Sequence, residues 1–537
     1  MRASRLHSAI GLIYLLCTDR FDSKDLATDR FPEVVVMFDL SHLTESKTWP
    51  LILKVKRILD DSGVEAYLVG GWVRDALLGR ETEDIDFAVK ADGLDVARQV
   101  ALAVGGTFVP LDEVNGVGRV VLQDRGTGQL TLDFARFEGT IEADLGRRDF
   151  TIDALALDLR AFDDNGQAQV LDPFHGIDDL RDKAVRAVSD TAFVADPVRL
   201  LRGVRLAATL GFAMEAVTSA MTRRDAGLVS RVAGERVREE LLLLLSVAGS
   251  GTFVEQLEKL GLLIALFPEL GPAKGVIQPK EHYWDVLQHS IKTVSAFDFL
   301  VRQGVWEYAD EKTLSVVPWS EELEDYFGEA VSHGSTRATM FKLVALLHDV
   351  AKPQTRTVEA GGRVRFLGHG QEGAVIAAEV MERLRFSAKE TKLVETAVKF
   401  HLRPTQMGLP ELPTARAIYR YYRDTGEAAV GILFLSLADH LASRGPSLDT
   451  SNWTLHNRVV EHILSQRERE PSRLVRLIDG YDIMARFGLI PGRKLGEIIE
   501  IVREAQASGE VITREDAFDL VRRVLAELSR ENENRKP

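Results

Sequence analysis

The sequence predicts an α+β protein: a small α/β head, then an all-helical neck, a helical body and a helical C-terminal tail. Three observations carry that prediction. Short apolar runs alternate with helical stretches only up to about Leu159. After Asp196 strand signals nearly vanish, and apolar residues recur at the helical period. Two constellations of chemically active side chains, one acidic and one rich in histidine, fall on either side of that change.

A chain of 537 residues exceeds what one hydrophobic core serves, so several packing units are expected. Residues 1–45 show no sustained period, and the first 36 are expected to be either a poorly ordered extension or a misassigned start ahead of Met37. The apolar run Ala9–Cys17 is too short to cross a bilayer and lacks a small-residue cleavage site after it. Cys17 is the single cysteine, which excludes a disulfide framework and a cysteine-rich zinc site, so a cytoplasmic protein without membrane partners is expected. A net charge of −14 argues against non-specific coating of nucleic acid but allows one local positive groove.

The head begins near Trp49. Tyr67–Val69, Ile85–Val89, Arg119–Leu122 and Leu130–Phe134 are expected strands, with helices over Asp75–Leu78 and Asp95–Val104. Val198–Leu210 and Val237–Val247 are expected helices, and nearly everything from His282 onward is helical apart from an acidic insertion around Glu307–Ser335.

Leu68-Val69-Gly70-Gly71-Trp72-Val73-Arg74-Asp75 runs from strand to turn to helix. Glycines there let backbone N–H groups approach an anion, and the helix start favours negative charge. Asp84-Ile85-Asp86 follows, and in a strand the two acids project from one face while Ile85 and Phe87 enter the core. Adjacent carboxylates repel unless a divalent cation neutralises them; magnesium there suits phosphoryl transfer. Asp133, on a neighbouring strand, is the expected third catalytic acid. Alone, an Asp-x-Asp is more often a solvated strand end.

Asp196 and Arg199 are three apart and would share a helix face. A carboxylate and a guanidinium offer the acceptor and donors that match cytosine and adenine rather than guanine and uracil. The plainer alternative is an ordinary surface ion pair.

In the helical half, His289, His348-Asp349 at the end of an apolar helix, His369, His401 and Asp439 provide imidazole and carboxylate ligands suited to a divalent transition metal without cysteine. A single histidine at an apolar helix end is more often a satisfied core residue, but six candidates make that explanation poor.

Gly70-Gly71-x-Val73-Arg74-Asp75 with Asp84-x-Asp86 resembles the first motif of class II CCA-adding enzymes and bacterial poly(A) polymerases. Arg147-Arg148-Asp149-Phe150-Thr151-Ile152-Asp153-Ala154 resembles their second motif, Asp172-Pro173-Phe174 with Gly176 and Asp179-Leu180 the stretch after it, and Ala195-Asp196-Pro197-Val198-Arg199-Leu200-Leu201-Arg202 the base-recognition motif. The order His289, His348-Asp349, His369, His401, Asp439 resembles the HD phosphohydrolase pattern, and Leu489–Phe518 resembles the C-terminal end of the longer family members.

The resemblance implies a polymerase-β-like nucleotidyltransferase head at 46–185, a neck at 186–275, an HD-type body at 276–450 and a tail at 451–537. Asp84 and Asp86 would hold Mg2+; Gly70, Gly71 and Arg74 would cradle phosphates; Arg147, Arg148 and Asp149 would contact the nucleotide; Asp196 and Arg199 would meet the base, with Arg202 also binding the nucleotide. The implied partners are the 3′ end and acceptor stem of tRNA, ATP and CTP. The HD ligands would hold one or two transition-metal ions for phosphoester hydrolysis. Two departures stand out: Ala195 replaces the usual Glu that would brace Arg199, and Asp153 stands where Asn is frequent. CCA, A-only, CC-only and poly(A) addition all remain open at this point, as does an HD enzyme whose head senses RNA.

Overall fold

The computed structural model describes residues 35–124, 128–161, 166–408, 411–467 and 475–534. Cys17 and the run Ala9–Cys17 lie outside the described residues. The chain divides into two compact units, 1–231 and 232–537. That division falls inside the segment expected as neck.

The first unit is built on an eight-stranded sheet: β1 (Val35–Asp39), β2 (Ala66–Val69), β3 (Asp84–Val89), β4 (Thr107–Asp112), β5 (Val117–Asp124), β6 (Gly128–Arg136), β7 (Ala156–Asp158) and β8 (Gln167–Leu171), in the order β1-β8-β7-β2-β3-β6-β5-β4. The expected strands are all present. Four more escaped the sequence reading because they are short or irregular. Edge strand β4 contains Pro110, which costs no sheet hydrogen bond where the edge is free. Strand β1 pairs antiparallel with β8, from Val35 opposite Leu171 to Asp39 opposite Gln167. The poorly ordered extension expected through residue 45 is therefore corrected from residue 35 onward.

Among the described strands of this sheet, β3 and β6 form the parallel pair, with Asp84 opposite Thr131 and Asp86 opposite Asp133. Ile85, Phe87, Leu132 and Phe134 are buried on the other face, where Phe87 and Phe134 stack at 4.8 Å. Burial of this apolar face fixes the register, and the register puts the acids on the opposite face. Helix Arg199–Leu210 follows, ended by Gly211 in the left-handed conformation.

The second unit is helical around Val286–Leu300, Arg337–Leu347, Ala388–Phe400 and Ala429–Arg444, with His369–Arg383 beside them. A small hairpin at 330–336 falls at the end of the expected acidic insertion, and a second, at 356–366, interrupts the expected helical pattern. Lys342 and Asp298, both fully buried, pair at 2.7 Å. Lys342 also donates to the carbonyls of Leu245 and Val247, and Asp298 accepts from Ser250 and Gly251. The pair thereby ties two core helices to the segment 245–251. The C-terminal helices Gly480–Phe487, Arg493–Ala507 and Arg514–Asn534 enclose an apolar cluster of their own.

Candidate active site and metal centre

In the head, β2 ends at Gly70, whose φ of +69° and ψ of −138° favour glycine. A Cβ there would stand 2.8 Å from an Arg148 guanidinium nitrogen and 3.2 Å from Asp86 Oδ2. Glycine thus brings the turn, the carboxylate and the arginine into one small space. Asp84, exposed, accepts a hydrogen bond from Thr131. Burial, then the charges of Asp84, Asp133 and Asp153, push the Asp86 carboxyl up to about 7, against the opposing pull of Arg148.

The surrounding acids are already paired. Asp133 is gripped by both arms of Arg119, at 2.7 and 2.6 Å. Arg74 is spent on Asp75 at 3.0 and 2.9 Å and on Asp153 at 2.6 Å. Asp149 takes Arg202 at 2.9 Å and the Phe150 N–H at 3.0 Å. Asp84 and Asp86 differ: among the described residues, neither has an ion-pair partner within 4.0 Å. The positive charge of Arg148 pulls the Asp86 carboxyl down; its Nη2 reaches Asp144 at 3.5 Å, while its Nε is buried without a hydrogen-bond partner among the described residues. A buried orphan donor beside a glycine turn suits an anion arriving there.

Three expectations are corrected here. Asp133 lies beside Asp86 but is held by Arg119, so three free acids do not surround one point. Arg74 braces Asp75 and Asp153 rather than standing free for phosphate. Asp196 has extended backbone ahead of the helix that starts at Arg199, so the two do not share a helix face. Arg199 instead donates to the carbonyls of Arg147 at 2.7 Å, Arg148 at 3.3 Å and Ala192 at 3.4 Å. Backbone carbonyls thus brace Arg199 in a chain that has Ala195 in place of the family's glutamate. Gly71 opens the helix Gly71–Leu77, and Arg147 is exposed and paired with Asp144 at 3.1 Å.

In the helical unit all six selected side chains converge. His289, His348 and Asp439 offer ligand atoms within 4.8 Å of one another, and so do Asp349, His369 and His401. Asp349 joins the two groups. Its Oδ2 lies 3.4 Å from His289 Nε2 and 3.1 Å from His348 Nε2, while its Oδ1 lies 3.4 Å from His369 Nε2 and 3.8 Å from His401 Nε2. His289 Nε2 is 3.1 Å from Asp439 Oδ1.

The outer ring nitrogens explain the orientation. Nδ1 of His348, His369 and His401 lies against the carbonyls of Ala345, Phe366 and Val398 at 2.9, 2.6 and 2.7 Å. Each Nδ1 therefore carries a proton and turns Nε2 towards the cluster, which is how a metal ligand is held. His369 and His401 point those atoms at each other across 3.2 Å. Two ring nitrogens at that distance need a shared proton or a cation between them. Burial, then His348, pushes His401 down to about 3, so it stays neutral. Burial alone would raise Asp349, but His348 and Lys352 outweigh it and hold it well below the carboxylate range. These donor sets fit divalent transition metals.

Sequence reasoning missed the supporting residues. Lys352 contacts Asp349 Oδ2 at 2.6 Å and donates to Gln278 at 2.6 Å, and Gln278 donates to the Trp284 carbonyl at 3.3 Å. Ser443 donates to Asp439 at 3.2 Å. The spacing from Asp349 to Lys352 was a usable signal; Gln278 and Arg119 left none.

Two neighbouring acids beside a glycine turn suit nucleotidyl transfer, and the buried histidine–aspartate cluster further along the chain suits metal ions. Residues 66–186 match the "Poly A polymerase head domain", 211–274 the "Probable RNA and SrmB- binding site of polymerase A", and 310–444 the "HD domain". The chain is 32% identical over 464 residues to the A-adding tRNA nucleotidyltransferase of Deinococcus radiodurans, covering 85% of this chain and 95% of that protein. It is 32% identical over 473 residues to the CC-adding enzyme of Geobacter sulfurreducens, covering 87% and 94%. This chain belongs to the tRNA nucleotidyltransferase family. A CCA-adding enzyme solved with ATP shares the fold at a TM-score of 0.61 and 21% identity, covering 92% of this chain and 99% of that one; a Thermotoga maritima CCA-adding enzyme solved with tRNA matches at 0.58 and 21%, covering 92% and 99%.

Proposed function

We propose that this chain adds CMP, AMP or both, without a template, to the 3′ end of tRNA, using CTP and ATP and releasing pyrophosphate. The observation that carries the reading is the isolation of Asp84 and Asp86, beside the Gly70 turn, as acids without ion-pair partners among the described residues. Magnesium would be held by these two carboxylates, where it neutralises charge on the triphosphate and on the attacking 3′-hydroxyl. Arg148, with its unpartnered Nε, takes phosphate oxygens, while Asp149 and Arg202 form one wall of the nucleotide pocket. Arg199 holds the backbone of Arg147 and Arg148 in place and contributes to base choice through that frame.

The helical centre is proposed as a second activity, a transition-metal-dependent phosphohydrolase. His289, His348, Asp349 and Asp439 would hold one ion and Asp349, His369 and His401 another, which would supply Lewis-acid activation of a phosphoester. The lone cysteine supports a cytoplasmic setting, and among the described residues no helix is long and apolar enough to cross a membrane.

Incubating the protein with tRNA lacking its 3′ end and each nucleotide separately, then sequencing the product ends, tests the first activity. Incorporation of C, A or both supports it; extension by none refutes it. A second reading, in which the HD centre is the main activity and the head senses RNA, is favoured by the completeness of that centre. It predicts phosphatase turnover that survives Asp84→Ala and dies with Asp349→Ala, and no incorporation at all.

A further inference from the structure

An RNA-end enzyme with a net charge of −14 needs a local cationic surface for its substrate's backbone. One such surface is covered. Helix Ala415–Thr425 carries Arg416, Tyr419, Arg420 and Arg423 at the i, i+3, i+4, i+7 spacing of a single face.

All three guanidiniums on that face are spent on glutamates of the helix Arg493–Ala507 and of the loop that follows it. Arg416 meets both oxygens of Glu510 at 2.9 and 3.0 Å. Arg420 meets both of Glu504 at 2.8 and 2.6 Å. Arg423 reaches Glu500 at 2.8 Å and Glu504 at 3.1 Å. Tyr419 is buried among them, and burial followed by the charge of Glu500 pushes its hydroxyl up to about 12. The C-terminal helices do not need this face for their own core. Their apolar cluster and the residues packed on it run from Leu477 to Leu525 and include nothing from 415–425.

Apart from the buried Tyr419, the contact is made of carboxylates on guanidinium forks, a kind of pairing that is individually weak and screened by salt. The forks that take a carboxylate bidentately take a phosphate in the same way. An aromatic ring set among arginines on one helix face is also the composition that holds a single strand, with bases stacked and phosphates paired. Glu500 and Glu504, one helical turn apart, present successive anions to that face as a nucleic-acid backbone would.

We propose that the face formed by Arg416, Tyr419, Arg420 and Arg423 is a binding site for the RNA phosphate backbone, and that the C-terminal glutamates occupy it when RNA is absent. RNA binding and docking of the C-terminal helices then compete for the same guanidiniums. The proposal rests on the reading of the chain as an enzyme acting on RNA ends.

The test uses the full-length protein and a tRNA transcript lacking its 3′ end. Affinity is measured across salt concentrations, and hydrogen exchange is followed over Arg493–Ala507. Glu504→Gln should bind the transcript several-fold more tightly, because a competitor is weakened, and should steepen the salt dependence by about one released ion. Arg420→Gln should bind about tenfold more weakly, with a shallower dependence. Adding the transcript to the wild type should speed exchange over Arg493–Ala507.

If Arg420→Gln lowers solubility, the more exposed pair serves as substitute: Glu510→Gln should strengthen binding and Arg416→Gln should weaken it. Unchanged or weaker binding by both glutamate variants overturns the proposal, as does exchange over Arg493–Ala507 that RNA leaves alone. Nucleotide incorporation into a short acceptor hairpin is measured in parallel. Its persistence when the arginine-face predictions fail leaves the RNA-end reading standing, and its absence in wild type defeats that reading instead.

Discussion

The Asp86 carboxyl gives a prediction whose size follows from the structure. Burial and three neighbouring acids raise it from 3.8 to about 7. That gap corresponds to about 4 kcal/mol weighted against the ionised form. Because the folded-state value is raised, the associated stability is fully present below pH 4 and is lost as the pH climbs through 7. A divalent cation held by Asp84 and Asp86 needs the ionised form, so it must drive the proton off. At pH 7 about half the molecules carry that proton, and Mg2+ binding should release about half a proton per site. Calorimetric titration of Mg2+ in buffers of different ionisation enthalpy reads this directly, as a heat that changes with buffer. Asp86→Asn should remove the buffer-dependent part while leaving any contribution from the HD centre. The thermal stabilisation by Mg2+ should also grow between pH 5.5 and pH 8. Wild-type heats that are the same in every buffer at pH 7 would refute the reasoning, because the acid would then be ionised before the cation arrives.

Three further outcomes are expected. Gly70→Ala should lower nucleotide incorporation by about 100-fold while sparing phosphohydrolase turnover, since the new Cβ meets the Arg148 guanidinium at 2.8 Å and the backbone there is left-handed. Lys342→Met should destabilise the helical unit by about 3–5 kcal/mol in urea unfolding, because Asp298 is left buried and unpaired; adding Asp298→Leu should recover much of that loss. Asp349→Ala should remove bound transition metal from both groups, whereas His401→Ala should empty only the group formed with His369, as read by elemental analysis of purified protein; neither should alter nucleotide incorporation.

Sequence reading reached the two sites by different routes, and the difference is physical. The helical centre was legible because histidine is scarce in this chain and each candidate sits at a helix end or on a buried helix, where an imidazole needs a reason to be. Convergence of the six then requires only that the helices pack. The head was legible through strand alternation, which told that Asp84 and Asp86 share a face and that Ile85 and Phe87 do not. Alternation says nothing about which charge crosses from another element to meet an acid. Arg119 reaches Asp133 across a strand pair, and Arg74 reaches Asp153 from 79 positions away. Such pairings come from the sheet order, which short strands such as β7 and edge strand β4 conceal.

Those unseen pairings are what give the two readable acids their meaning. The face holding Asp84 and Asp86 also gathers Asp133 and Asp153, and four carboxylates cannot share it without positive charge. The fold supplies Arg119 to one and Arg74 to another, through close contacts that fix both side chains. It supplies Arg148 near Asp86, next to a turn kept open by glycine, with another of its nitrogens held by Asp144 at 3.5 Å. The remaining negative charge is therefore concentrated on the two acids that alternate along one strand, at the point where a buried guanidinium nitrogen also lacks a partner. On the function proposed above, a divalent cation would satisfy the acids and a triphosphate the arginine, so that each half of a metal–nucleotide complex would answer a deficit the protein alone leaves open.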